Sequence, residues 1–258
     1  MDNYVYKMRL TDSQIIAMKK LIKNGKSLNY ISKELDVGKT TVYYYFREIK
    51  GKTFKSPVIK FDSDKELGEV VGIFTGDGSQ SFDPMGYHYQ NKVHFGLHNK
   101  DYVFYVKNLY EKCFGKKFFV SKDGPTKLVV ITNSKDIFNF FHKYVKFDSK
   151  DKSNTASLKI KYRKNKNFML GFLKGFMDTD GSLYIDKRGM RLAYYTSSHD
   201  LAMQIKRSLQ TFGIKSSLTI SKKNNRQIYV LKKHNEELLT LIKPFRARGL
   251  NWNDACMA

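Results

Sequence analysis

Two cysteines in 258 residues, Cys113 and Cys256, are too few and too far apart for a disulfide framework or a cysteine-built zinc site. Such scarcity fits a reducing compartment, and a soluble protein in the cytoplasm is the expectation. Long apolar runs are missing as well. The longest, around 168–177, is too short and too glycine-rich to span a bilayer, and the N-terminus lacks a signal-peptide pattern, so no membrane partner is expected. Acidic residues are the third shortage, at 24 Asp and Glu against 47 Lys and Arg, a net charge of +23. Residues 1–50 hold ten of the basic and five of the acidic side chains, so the excess runs through the chain and is not confined to a tail. Such a field attracts polyanions by counterion release, and nucleic acid is the commonest large one. An anionic membrane surface, the ribosome or a lysine-rich proteome would produce the same balance. Charge therefore names a class of partner and no reaction.

What is present in quantity is apolar and aromatic, 41% and 14%, enough for folded structure throughout. Residues 1–50 form a candidate domain in which 11–49 read as three helices. Thr11 or Asp12 can cap the first, with Ile15, Ile16, Met18, Leu21 and Ile22 as its apolar stripe; Ser27 caps the second, with Leu28, Ile31 and Leu35 inward. After the turn Asp36-Val37-Gly38, the third starts at Lys39 and turns Val42 and Phe46 inward. This spacing resembles a helix-turn-helix. The outward set Lys39, Thr40, Thr41, Tyr43, Tyr44 and Arg47 is suited to bases and phosphates. Residues 51–63, with Gly51, Ser56 and Pro57, read as a linker.

Beyond the linker the chain repeats itself. Gly68, Gly72 and Gly76 stand four apart before Asp77-Gly78-Ser79; Gly171, Gly175 and Thr179 stand four apart before Asp180-Gly181-Ser182. Both sets are offset by 103 positions. Downstream, Phe114-Gly115 answers Phe212-Gly213 and Val120-Ser121-Lys122 answers Ile220-Ser221-Lys222. Each copy, 64–160 and 161–258, reads helix, strand, strand, helix, strand, strand, helix. The predicted class is α+β, two αββαββα repeats behind a small all-α domain. In the second copy helices are expected at 168–179, 201–212 and 236–244, and strands at 183–186, 191–196, 216–222 and 227–231.

Small residues four apart line one helical face and open it to close backbone contact. Each interior glycine costs roughly 1 kcal/mol relative to alanine, a cost that packing of the two motif helices on one another would offset. Gly78 and Gly181 would then sit just past the helix ends, where positive φ is favoured. Asp77 and Asp180 come together at two helix C-termini, each adding about half a negative charge. Such a pair calls for a divalent cation, Mg²⁺ with Mn²⁺ able to substitute, since no His or Cys stands nearby. Gly76 and Thr179, the preceding residues, are further metal-site candidates.

At these residues the chain resembles a known family. Val70-Val71-Gly72-Ile73-Phe74-Thr75-Gly76-Asp77-Gly78 and Leu173-Lys174-Gly175-Phe176-Met177-Asp178-Thr179-Asp180-Gly181 are similar to the two motifs of LAGLIDADG homing endonucleases. The resemblance implies motif helices at a pseudo-twofold interface inside a monomer, and a four-stranded saddle from each half in the DNA major groove. It implies metal binding by the later acid of each motif, Asp77 and Asp180. The earlier acidic position is Asp178 in the second copy but Thr75 in the first, which is expected to weaken bonding at that helix end. A basic residue near the scissile phosphates, after the last helix of each half, maps to Lys150 and Lys152 and to Arg246 and Arg248.

Alternation along the strands supplies candidate DNA contacts in Tyr184 and Asp186, in Lys215, Ser217, Thr219 and Ser221, and in Gln227 and Tyr229. Asn91, Lys92 and the turn from Lys222 to Arg226 would lie at the saddle margin. The expected activity is metal-dependent, site-specific hydrolysis of both strands of duplex DNA. A non-cleaving DNA-binding regulator or an RNA-binding intron maturase could use the same scaffold.

Overall fold

A capping box opens the first helix: the Gln14 N–H donates to Thr11 Oγ1 at 3.3 Å while the Thr11 N–H donates to Gln14 Oε1 at 3.0 Å. The structure, a computed structural model, describes residues 10–50, 56–83, 88–187, 189–221 and 225–247, with Ile160 and Asp186 described in backbone only. Its contacts divide the chain into two compact units, 1–56 and 57–258. The first contains α1 (Asp12–Lys23), α2 (Leu28–Glu34) and α3 (Lys39–Lys50) around Met18, Ile22, Ile31 and Val42. Ser27 caps α2, and Asp36 takes the left-handed conformation, φ 48°, in the turn before α3.

The second unit begins with α4 (Asp64–Asp77), followed without a loop by β1 (Gly78–Asp83), then β2 (His88–Gly96), α5 (Lys100–Phe114), β3 (Phe119–Lys122), β4 (Lys127–Asn133) and α6 (Lys135–Tyr144). A connecting segment contains β5 (Val145–Lys146), α7 (Lys152–Thr155), β6 (Ser157–Leu158) and α8 (Ile160–Arg163). The pattern then returns as α9 (Lys166–Asp180), β7 (Gly181–Asp186), β8 (Gly189–Thr196), α10 (His199–Thr211), β9 (Ser216–Ile220), β10 (Arg226–Val230) and α11 (Asn235–Ile242). Both four-stranded sheets are antiparallel with the same order, β1-β2-β4-β3 and β7-β8-β10-β9. One face of each carries Val93, Phe95 and Val130, or Leu192, Tyr194 and Ile228, into a core shared with both long helices. The sequence pattern does not announce the connecting segment, because two-residue strands and four-residue helices carry no periodicity.

Side chains set the ends of these elements. Ser63 and Asn165 cap α4 and α9, accepting from the Glu66 and Phe168 N–H groups at 3.1 Å each. Ser198 caps α10 and also donates to the Ala156 carbonyl at 2.6 Å, tying that helix to the connecting segment. Cys113 is a free thiol buried in the core; Cys256 lies outside the described residues. Among the described residues no helix is long and apolar enough to cross a membrane.

Candidate metal centre and nucleic-acid interface

Glycine spacing decides how α4 and α9 meet. A Cβ on Gly68 would overlap the Phe168 carbonyl and lie 2.8 Å from the Phe172 nitrogen; one on Gly171 would overlap the Lys65 carbonyl and lie 2.8 Å from the Glu69 nitrogen. One turn on, a Cβ on Gly72 would lie 2.9 Å from the Phe176 nitrogen, and one on Gly175 2.8 Å from the Ile73 nitrogen. Each contact and its counterpart differ by the 103-residue offset of the repeat, so the helices meet reciprocally, backbone on backbone. At the end of the crossing Gly76 faces Thr179, its own counterpart in the repeat. Asp77 and Asp180 are the next residues and the last of each helix.

Gly78 and Gly181 correct the expectation of positive φ. Both are extended, at φ −76° and −92°, because each strand starts directly at the helix end. Close approach accounts for the glycines: a Cβ would lie 2.8 Å from the Phe74 Cα or 2.7 Å from the Met177 Cα in the last helical turn.

The two carboxylates are half-buried. Burial raises the pKa of Asp77, and burial followed by the charge of Asp77 pushes Asp180 up to about 7. Nearby cations oppose these shifts but are themselves engaged. Lys152 Nζ donates to the carbonyls of Phe74, Thr75 and Gly76 at 2.7, 2.8 and 2.9 Å, which uses all three ammonium donors and closes the end of α4. Burial brings its pKa down to about 8, against the pull of Asp180 and Asp77. Arg246 closes the other helix end, donating to the carbonyls of Gly181 and Thr179 at 2.9 and 3.2 Å. The Gly76 and Thr179 carbonyls thus each accept from a cationic side chain. A cavity of about 280 Å³ opens beside Asp180, bounded by Thr75, Lys152, Tyr195, Ser197 and Asn225. Lys150 is exposed away from this cluster, with its backbone N–H on Asp148, and Arg248 lies outside the described residues.

Asp180 has a folded pKa above its unfolded value, so between about pH 4 and pH 7 the folded state binds the extra proton and stability rises as pH falls. Lys152 has the opposite shift, and its window lies above pH 8. Metal-free protein should therefore melt higher at pH 5 than at pH 7.5. Asp180→Asn should raise the pH 7.5 stability by about 1–3 kcal/mol and flatten the profile. A thermal melt series at four pH values checks this; a wild-type profile that falls toward pH 5 would contradict it.

Strand register places the sheet faces. In the second sheet Tyr184 pairs with Arg191, Gln227 with Tyr195 and Thr219, and Tyr229 with Ala193 and Ser217. These residues therefore share the face away from the core. Arg226 falls in the other row, engaging the Ser197 carbonyl, and Ser221 Oγ accepts from the Asn225 N–H. Lys215 is exposed just before β9; Lys222 and the Asp186 side chain lie outside what is described. In the first sheet Lys92 lies on the open face, but Asn91 does not. Asn91 is 3% exposed, donating to the Tyr89 and Ser134 carbonyls and accepting from Gln80, so its reading as a DNA contact is corrected. In α3, Lys39, Thr40, Tyr44 and Arg47 are exposed, while Thr41 and Tyr43 are half-buried.

Residues 167–243 match the LAGLIDADG-like domain family. Helix, sheet order and motif are repeated in the first half. In its second half the chain is therefore similar to that family. Its fold is that of I-DmoI, solved in complex with DNA and Mn, at TM-score 0.52 and 15% identity over 69% of this chain and 96% of that one. The DNA-bound homing endonuclease I-WcaI matches at TM-score 0.51 and 14% identity over 71% and 82%. No curated protein matches this chain in sequence.

The two motifs differ where the sequence differs. Asp178 accepts the backbone N–H groups of Phe245 and Arg246 at 2.9 and 3.0 Å, holding Arg246 at the end of α9, and burial pushes its pKa up to about 6. Thr75 donates back to the Val71 carbonyl at 2.7 Å and anchors nothing downstream, so Lys152 is positioned by α7 instead. Three further groups escaped the sequence reading. Arg191 and Tyr195 belong to the open face of β8, legible in its alternation with Met190, Leu192 and Tyr194. His94 bonds Ser79 at 2.8 Å and Asp123 at 3.2 Å on the open face of the first sheet. Across α4 and α9, Lys174 meets Glu69 at 2.7 Å and also bonds Tyr105 at 2.9 Å, a polar lock that only the tertiary fold assembles.

Proposed function

We propose that the protein is a metal-dependent endonuclease that cuts both strands of duplex DNA at a specific site. The observation that carries this reading is the pair of half-buried carboxylates, Asp77 and Asp180, held at two converging helix ends by reciprocal glycine contacts. DNA binding alone needs no such pair, and its cost to the fold argues for chemistry. The site fits a hard divalent cation: burial keeps the pKa of both carboxylates raised even with Lys152 and Arg246 nearby, and all-oxygen ligation suits such an ion. Among the described residues no three His, Cys, Asp or Glu groups converge, which leaves coordination positions for water and phosphate. Asp77 and Asp180 would hold Mg²⁺ or Mn²⁺, which when bound supplies charge for the phosphate and a more acidic water.

The chain's own residues do the rest. Lys152 and Arg246 hold the helix-end carbonyls in place, and their charge faces an incoming phosphate. The open sheet faces, with Lys92, Arg191, Tyr195, Gln227, Tyr229 and Thr219, offer donors to base edges in the major groove. Relatives of this fold were solved with DNA and Mn, Ca or Mg, which supports the same partner and cofactor here. Incubation with plasmid DNA carrying the flanks of the encoding gene, with and without Mg²⁺, tests the proposal. Discrete linear product only with metal is expected; no cleavage in any divalent metal would favour a DNA-binding regulator.

We further propose that the N-terminal helical unit extends the footprint through α3. Deleting residues 1–55 removes a net seven positive charges, yet leaves the second unit whole. The truncated protein should fold and cleave, with weaker binding, a shorter footprint and a shallower dependence of log affinity on log salt. Alanine at Tyr43, Tyr44 and Arg47 should reproduce most of that loss. Unchanged footprint and salt slope in both proteins would point instead to a protein-binding role for this unit.

A further inference from the structure

On the helical side of the second half, cations gather without partners. A cleft of about 570 Å³ is bounded by Lys146 of β5, Lys159 after β6, Arg163 of α8 and Arg207 of α10. A second cavity, of about 180 Å³, shares Arg163 and Arg207 and adds Lys164. Together they make one groove along α10, its ends marked by His199 and Thr211. Among the described residues the one carboxylate on its wall is Asp200, which lies 3.5 Å from the His199 imidazole. Among the described residues none of the five cations forms an ion pair, and Arg163 Nε is buried without a hydrogen-bond acceptor. Like charges brought together this way repel, and an anion in the groove would offset the cost.

The walls are built, not incidental. Gln204 of α10 accepts from the Leu158 N–H at 2.7 Å and donates to the Leu158 carbonyl at 3.2 Å, clamping β6 to the helix. The opposite face of α10 buries Leu201, Ala202, Ile205 and Leu209 beneath the sheet, so the groove and the open sheet face lie on different sides of this half. A ligand in the groove would leave the sheet face free.

We propose that this groove binds the phosphodiester backbone of a single nucleic-acid strand, separately from the duplex assigned to the sheet faces. At 1.5 Å per residue, α10 gives the groove a length of roughly 18 Å. That length accommodates about four nucleotides, the lower end of single-strand site sizes. Among the described residues no Phe, Tyr or Trp bounds either cavity, and the imidazole of His199 stands only at one end, so successive bases find no continuous stacking platform. Recognition is of phosphate charge: independent of sequence, alike for DNA and RNA strands, and steeply dependent on salt.

Fluorescence anisotropy of labelled dT20 and rU20 on the full chain tests this, with cleavage playing no part in the readout. Arg163→Glu with Arg207→Glu should weaken both strands at least tenfold and flatten the slope of log affinity against log salt by about 1.4, two phosphate contacts at about 0.7 each. Duplex affinity and melting temperature should stay at wild-type values. Lys146→Gln with Lys159→Gln, a milder change, should move single-strand binding the same way if the first pair fails to fold. Unlabelled duplex should not displace the strand. Wild-type single-strand affinity in a folded variant, or displacement by duplex, would overturn the proposal. Equal displacement by inorganic phosphate at the same phosphate concentration would overturn the strand assignment and leave an isolated phosphate site.

Discussion

Asp77→Asn or Asp180→Asn should lower the rate of double-strand cleavage by more than about a hundredfold, a loss of the size seen when one transition-state contact is removed. Asn keeps the shape of the helix end and removes the negative charge that attracts the cation. DNA affinity measured in Ca²⁺ should remain within about one order of magnitude, since binding rests on phosphate and groove contacts spread over the sheets. Both variants should also melt higher than wild type without metal, because burial opposes ionisation at both positions. Lost activity in a more stable protein separates a chemical role from a structural one. Wild-type cleavage in both variants would end the assignment, and nicking by one variant alone would show that the halves cut unequally.

Gly72→Leu or Gly175→Leu should prevent the second unit from folding, or lower its melting temperature by more than about 10 °C. Ordinary overpacking costs roughly 1–3 kcal/mol because neighbouring side chains can shift. Here the first atoms met are the backbone of the opposing helix, Phe172 and Phe176 on one side and Glu69 and Ile73 on the other. Relief would require α4 and α9 to separate, exposing a core that includes Phe74, Phe172 and Phe176. Circular dichroism melts of the purified variants provide the check. A leucine at either position with unchanged melting and activity would mean that the helices do not depend on this contact.

Sequence spacing carried the helix crossing and the carboxylate pair because both are periodic: glycines four apart, repeated at one offset, can be seen without coordinates. Other features depend on contacts that sequence distance hides. Asn91 reads as an exposed polar strand residue, yet three hydrogen bonds make its burial affordable in a row otherwise occupied by Val93 and Phe95. Lys150 and Lys152 are equivalent as basic residues after a helix; only α7, which begins at Lys152, directs that ammonium onto the end of α4. Asp178 looked like a neighbour of the metal ligand, and its action is instead on the chain 67 and 68 residues later, where it fixes Arg246.

If Asp77 and Asp180 together hold a divalent cation, binding of that cation must stabilise the folded protein. A ligand that binds only the folded state raises stability by RT ln(1 + [L]/Kd). Wild-type melting temperature should rise steadily with added Mn²⁺ at pH 7.5, and the rise should disappear in the Asp77→Asn, Asp180→Asn double variant. An identical rise in the double variant, or none in wild type even when DNA is bound, would mean that the carboxylate pair does not hold the metal.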